Sequence, residues 1–159
     1  MSLLGRGKIK GAEREELLDY FRVTDKINEI YVGEVRRYKE ALNASAQCIT
    51  DNADDEYKAE HHKLVAETEE KLVLLTEEAL RHIKGIANIP DKARQLHSSY
   101  VECFEAYLEW KKAAFVATNA ALQGLPSPVA DNPSSLYHKA TECAQKIDEM
   151  ESKLKGKLA

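Results

Sequence analysis

Residues 12–50 read AEREELLDYFRVTDKINEIYVGEVRRYKEALNASAQCIT. Leu17, Phe21, Thr24, Asn28, Tyr31, Val35, Tyr38, Leu42, Ser45 and Ile49 recur there at alternating spacings of four and three, flanked by Tyr20, Ile27, Ala41 and Cys48. Such spacings keep side chains on one side of a helix, so the stretch predicts one long helix with a wide buried stripe. A segment of this length cannot bury its stripe alone, and partners must come from the rest of the chain.

Working outward, three further segments carry the same period. Residues 53–87 repeat Tyr57, His61, Leu64, Thr68, Leu72, Leu75, Ala79, Ile83 and Ile86; residues 91–123 repeat Leu96, Tyr100, Cys103, Tyr107, Trp110, Ala114, Ala117 and Ala121. Residues 133–156 carry Tyr137, Ala140, Ala144, Ile147, Met150 and Leu154. The breaks between them are chemical. Thr50, Asp51, Asn52, Asp54 and Asp55 are cap formers, Pro90 interrupts the second gap, and Gly124 to Pro133 forms a linker over 124–132 with Asn132 and Pro133 as a helix start. Nothing alternates with period two long enough for a strand.

The expected fold is therefore all-α: an elongated up-down-up-down four-helix bundle, with three long helices and a shorter fourth. Short connections make consecutive helices antiparallel neighbours. Residues 12–159 form the bundle, and residues 1–11 are expected to be a flexible basic N-terminal arm.

Composition narrows the class. In 159 residues, 23 Lys and Arg stand against 27 Asp and Glu, a net charge of −4, which argues against general coating of nucleic acid. Cys48, Cys103 and Cys143 are widely spaced, with no paired-cysteine motif, and read as reduced thiols. Residues 1–11 lack the apolar run of a signal peptide, and no segment reaches the length of a membrane span. A cytoplasmic location is the expectation.

Chemistry is harder to find. No Glu-x-x-His pair of the ferritin-like kind is present; Glu78 with His82, and His138 with Glu142, sit four apart and read as surface helix pairs. His61 and His62 point about 100° apart on a helix and cannot grip one ion together. His97 with Cys103, and His138 with Cys143, do not share a helix face, and no phosphate-cradling loop follows a strand. Residues 81–85, RHIKG, are similar to the histidine-phosphotransfer bundles, in which an exposed His is followed by Lys and Gly. In that pattern two residues separate His from Lys, whereas only Ile83 separates His82 from Lys84 here, which turns the Lys about 100° away. No catalytic residue, metal ligand or cofactor is expected.

Two features point toward binding. Asn28 and His61 fall on stripe positions, together with Thr24 and Thr68, and could line a polar core site for a small ligand; otherwise they fix register. Charge is also unevenly placed: residues 1–50 sum to +1, 51–89 to −5, 90–132 to −1 and 133–159 to +1. An up-down bundle puts both termini at one end, where Arg6, Lys8 and Lys10 meet Lys153, Lys155 and Lys157. Asp51, Asp54, Asp55 and Glu56 crowd the other end. The expected function is a non-enzymatic interaction or scaffold protein that binds a protein partner or itself. The alternatives are a peripheral binder of an anionic membrane surface or nucleic acid through the basic pole, and a bundle enzyme handling a small ligand, metal or phosphate.

Overall fold

The computed structural model describes residues 7–51, 55–126 and 133–159. Arg6 and Asp54 lie outside the described residues, as do most of the 124–132 linker and the side chain of Asp51. The chain forms four helices: α1 (Gly11–Asp51), α2 (Asp55–Lys84), α3 (Arg94–Leu122) and α4 (Pro133–Gly156). At 1.5 Å per residue they measure about 62, 45, 44 and 36 Å.

Each boundary has a local cause. Helix α2 opens on Asp55 and Glu56 and closes on Arg81, His82 and Lys84, acids and bases placed to favour the helix dipole. It stops three residues before the expected end at 87. There the Gly85 N–H bonds the Arg81 carbonyl at 2.9 Å and the Ile86 N–H takes the Ile83 carbonyl at 3.3 Å, tightening the last turn. A single 3-10 turn, Asp91–Ala93, then leads into α3. Helix α3 ends in a Schellman arrangement. The Leu125 N–H reaches the Ala120 carbonyl at 2.8 Å and the Gly124 N–H the Ala121 carbonyl at 3.1 Å, with Gly124 at φ 69°, a conformation glycine adopts without a Cβ clash.

Interhelical contacts fix the topology. Tyr31 Oη lies 3.0 Å from Thr76 Oγ1 between α1 and α2. Lys84 meets Glu105 at 3.2 Å and Lys112 meets Glu77 at 3.6 Å between α2 and α3, while Tyr100 Oη donates to Glu151 at 2.8 Å between α3 and α4. Residue numbers rise along one helix as they fall along the next, so the bundle runs up, down, up, down. Its closure is direct: the Ile9 N–H donates to the Lys157 carbonyl at 3.0 Å, and Arg14 Nε donates to the Leu158 carbonyl at 3.1 Å.

The core is densest at this closed end, where Leu17, Tyr20, Phe21, Ile83, Leu96, Tyr100, Phe104 and Leu154 form one cluster. The other end is thinner. Among the described residues α1 buries no side chain beyond Tyr31, and α2 buries none before Ala66. Glu69 on α2 is bonded to Thr118 on α3, and α3 stops at Leu122, so the α1–α2 hairpin extends past α3. Ser45 Oγ and His61 Nδ1, 2.8 Å apart, clasp this extension.

Two sequence expectations change. Residues 7–10 are not a free arm, because Ile9 is only 3% exposed and packs into the core beside Leu158. Asn28 is exposed rather than inside. Among the described residues the bonds and ring contacts that tie the C-terminal segment to α1 involve Arg14, Phe21 and Asp25, and α1 packs chiefly on α2. The stripe position at Asn28 therefore lies where no neighbouring helix covers it.

Candidate functional site

The two polar core candidates do not meet. His61 is half-buried in the α1–α2 extension, bonded to Ser45, while Asn28 stands 17 positions before Ser45 on α1, about 25 Å along the helix axis at its rise per residue. They share no cavity. Among the described residues the buried polar or charged residues are Thr24, Thr68, Thr76, His97 and Lys111 instead. Tyr20 Oη lies 3.1 Å from His97 Nδ1, and burial holds the imidazole below its usual range.

Lys111 is the buried group the sequence reading passed over. Its ammonium sits 3.8 Å from the Trp110 ring centre. Burial, reinforced by Lys39, pulls its pKa down to about 8, with Glu69 opposing. Burial also raises the Glu69 carboxyl, and its Oε2 is buried with no hydrogen-bond partner. The signal was available. Phe104, Leu108, Lys111 and Phe115 follow one another at helical spacing, which places the lysine in an apolar row.

The basic pole assembles in part. Lys8, Lys10, Lys153 and Lys157 are exposed at the end where the Ile9–Lys157 bond joins the termini. Lys155 belongs to a different arrangement. Its Nζ lies 3.0 Å from both carboxylate oxygens of Asp25, pairs with Glu151, and stands 4.9 Å from the Phe21 ring centre. Burial disfavours its charge, but the bonds to Glu151 and Asp25 outweigh that and hold the ammonium above its usual range. The Glu151 carboxyl, despite burial, is held low by Lys155 and Tyr100. Lys155 thus joins α4 to α1 and is not a free surface charge.

A large surface feature lies elsewhere, between α1 and α2. A groove of about 940 Å³ is floored by Ile27, Leu75, Ala79 and Ile86, and its α1 wall carries Val23 and Ile30, 46% and 56% exposed. Charged groups rim it: Arg22, Lys26 and Glu34 on α1, Glu78 and His82 on α2. His82 is exposed and stands 3.6 Å from Glu78, a pair on the helix surface. Single exposed apolar residues are ordinary, but a contiguous apolar trough with a charged rim marks a binding surface.

Among the described residues no group of three or more His, Cys, Asp or Glu side chains is placed to hold a metal ion. Cys103 is buried beside Cys143, and burial pushes its thiol up to about 12, the inert form. Among the described residues no helix is long and apolar enough to cross a membrane. The chain is thus a four-helix bundle that carries an apolar groove between α1 and α2. Comparison with protein-family models, with curated proteins and with solved structures finds no match to this chain.

Proposed function

We propose that the protein is a non-enzymatic helical interaction module that presents the α1–α2 groove to a protein partner. The observation that carries the reading is the groove itself. Ile27, Leu75 and Ile86 floor a trough open to solvent, and Val23 and Ile30 project from its wall. An amphipathic helix laid into such a groove buries its apolar stripe and meets the charged rim. Elsewhere Tyr20 with His97, and Glu151 with Lys155, are bonded to each other where helices meet, which supports a structural part for these groups.

The test is a photo-crosslinking residue placed at position 30 in the chain's native cell, with the same residue at the exposed position 58 as control. Discrete adducts at 30 that are lacking at 58 support the reading; equal or no adducts at 30 reject it.

A second reading rests on the joined termini. Lys8, Lys10, Lys153 and Lys157 offer four exposed cations at one end, each worth about 1 kcal/mol at an anionic membrane surface. Flotation with phosphatidylserine vesicles at low and high salt tests it. Salt-sensitive binding lost on replacing these lysines by Gln supports a peripheral membrane role, and no flotation at low salt removes it.

A further inference from the structure

Cys103 on α3 and Cys143 on α4 stand at one level of the interface between these helices, and we propose that they are a redox pair that closes to a disulfide when the protein meets hydrogen peroxide. The inference concerns the α3–α4 contact and does not depend on what the α1–α2 groove binds.

Four contacts set the register of that interface. Trp110 meets Tyr137, their ring centres 4.8 Å apart, and Glu109 pairs with Lys139 at 3.7 Å. Toward the closed end Ser99 meets Met150 at 3.5 Å and Tyr100 meets Glu151 at 2.8 Å. Cys103 lies seven residues from Trp110 and Cys143 six residues from Tyr137, both in the direction of the closed end. The antiparallel helices therefore bring them to the same height within about 1.5 Å. Counted from Ser99 and Met150 the offset is about 4.5 Å, still less than one helical turn.

Direction agrees with height. Ser99, Cys103, Ala106 and Trp110 follow one another at spacings of four, three and four, along one side of α3, and Ser99 and Trp110 both touch α4. On α4, Cys143 stands four residues after Lys139 and seven before Met150, which places it on the side of that helix that meets α3. Ala106 and Ala140 are buried. Side chains this small let two helices approach to the short spacing a disulfide needs, about 4.4–6.8 Å between Cα atoms. Cys143 packs against the core cluster that contains Cys103 and is close enough to raise its thiol further.

The two thiols differ in access, and that orders the chemistry. Cys143 is half-buried, whereas Cys103 is buried and inert toward reagents in solution. Hydrogen peroxide therefore meets Cys143 first. Its sulfur attacks one peroxide oxygen, the O–O bond breaks, and a sulfenic acid and one water form. The Cys103 sulfur then attacks the Cys143 sulfur, the S–O bond breaks, and the departing hydroxide takes the Cys103 proton as a second water. Two thiols and one peroxide give one disulfide and two waters. The new bond joins positions 40 apart in sequence, which restricts the unfolded chain and strengthens the fold.

The test treats the full chain with hydrogen peroxide at neutral pH and then blocks the remaining thiols with N-ethylmaleimide in denaturant. Peptides are mapped by mass spectrometry, and thermal melting is followed with and without dithiothreitol. The expected result is a linked peptide pair holding Cys103 and Cys143, two hydrogens lighter than its parts, with a melting temperature that rises on oxidation and returns on reduction. Cys143→Ser and Cys143→Ala, at a half-buried position, should each keep the helical circular dichroism and lose both the link and the rise, while Cys48→Ser keeps both. A Cys143 that advances to sulfinic acid while Cys103 is recovered as its maleimide adduct overturns the proposal. So does a link that forms only in denaturant, or one that lowers the melting temperature.

Discussion

Lys155 on α4 grips both carboxylate oxygens of Asp25 on α1 at 3.0 Å, across 130 positions of sequence. It shares its ammonium with Glu151, which also accepts the Tyr100 hydroxyl at 2.8 Å. One cation therefore links α1, α3 and α4 at the end where the chain closes.

Replacing Lys155 by Met should lower unfolding stability by about 1 kcal/mol. The lysine is 40% exposed, so solvent screening keeps the loss near the upper end of a surface pair and no higher. Lys153→Met, at an exposed neighbouring position, should change stability by less than about 0.5 kcal/mol. Urea denaturation of both variants measures the contrast, and equal losses would contradict the role assigned to Lys155.

Acid should weaken the fold through the same network. The Glu151 carboxyl is held below its usual value in the folded protein, so the unfolded chain binds the proton more readily. The stabilisation is complete above the ordinary carboxylate range and fades as pH falls through the folded value. His97 adds to this at higher pH. Burial lowers its folded pKa below the usual 6.5, so stability is lost as pH drops below about 6.5. Melting temperatures measured from pH 7.5 down to pH 4 should fall continuously, and the double variant Tyr20→Phe with His97→Leu should flatten the upper part of that fall.

Lys111 should respond in the alkaline range. Its folded pKa of about 8 lies below the unfolded value of 10.5, so between those values the unfolded chain holds more protons and stability rises with pH. Lys111→Met removes a desolvated cation while keeping its stem, and is expected to leave stability at pH 7 unchanged or raise it by about 1–2 kcal/mol. Burial of the Cys103 thiol opposes this rise equally in both proteins, so denaturation at pH 7 and pH 9.5 should show the wild type gaining more stability, or losing less, than the variant; equal changes in the two contradict the burial of the ammonium.

Thiol labelling should separate the three cysteines by position. Cys48 is exposed, Cys143 half-buried and Cys103 buried with its thiol pushed up to about 12. With N-ethylmaleimide at neutral pH, Cys48 should react first and Cys103 only on unfolding. Mass spectrometry of timed samples reads the order, and early modification of Cys103 would show that α3 opens readily.

Leu17 should be among the most costly truncations. It is 0% exposed at the centre of the closed-end core, and Leu17→Ala is expected to cost about 2–5 kcal/mol through lost transfer energy and the remaining cavity. Val23→Ala, at a 46% exposed position, should cost under about 1 kcal/mol.

The helices and their order were legible in the sequence. The stripe from Leu17 to Tyr31, the cap formers near Asp55, Gly124 and Pro133 are local signals, and each structural boundary falls within about three residues of where they point. Closure of the termini also followed from four helices joined by short connections. The groove was not legible, although its floor residues Ile27, Leu75, Ala79 and Ile86 all stood on or beside the recognised stripes. Periodicity says which side of a helix is apolar; it does not say how much of that side a neighbour covers.

Asn28 and Lys111 make the same distinction from opposite directions. Sequence alone determined the helical segments and their antiparallel path, because helix periodicity, caps and connection lengths act over a few residues at a time. Only the tertiary structure decided that Asn28 faces solvent, that Lys111 is buried beside Trp110 and that Lys155 leaves the basic pole to bind Asp25. Those outcomes depend on where helices of unequal length, about 62, 45, 44 and 36 Å, approach and part from one another. Burial is a property of two surfaces meeting, and no single stretch of chain encodes both.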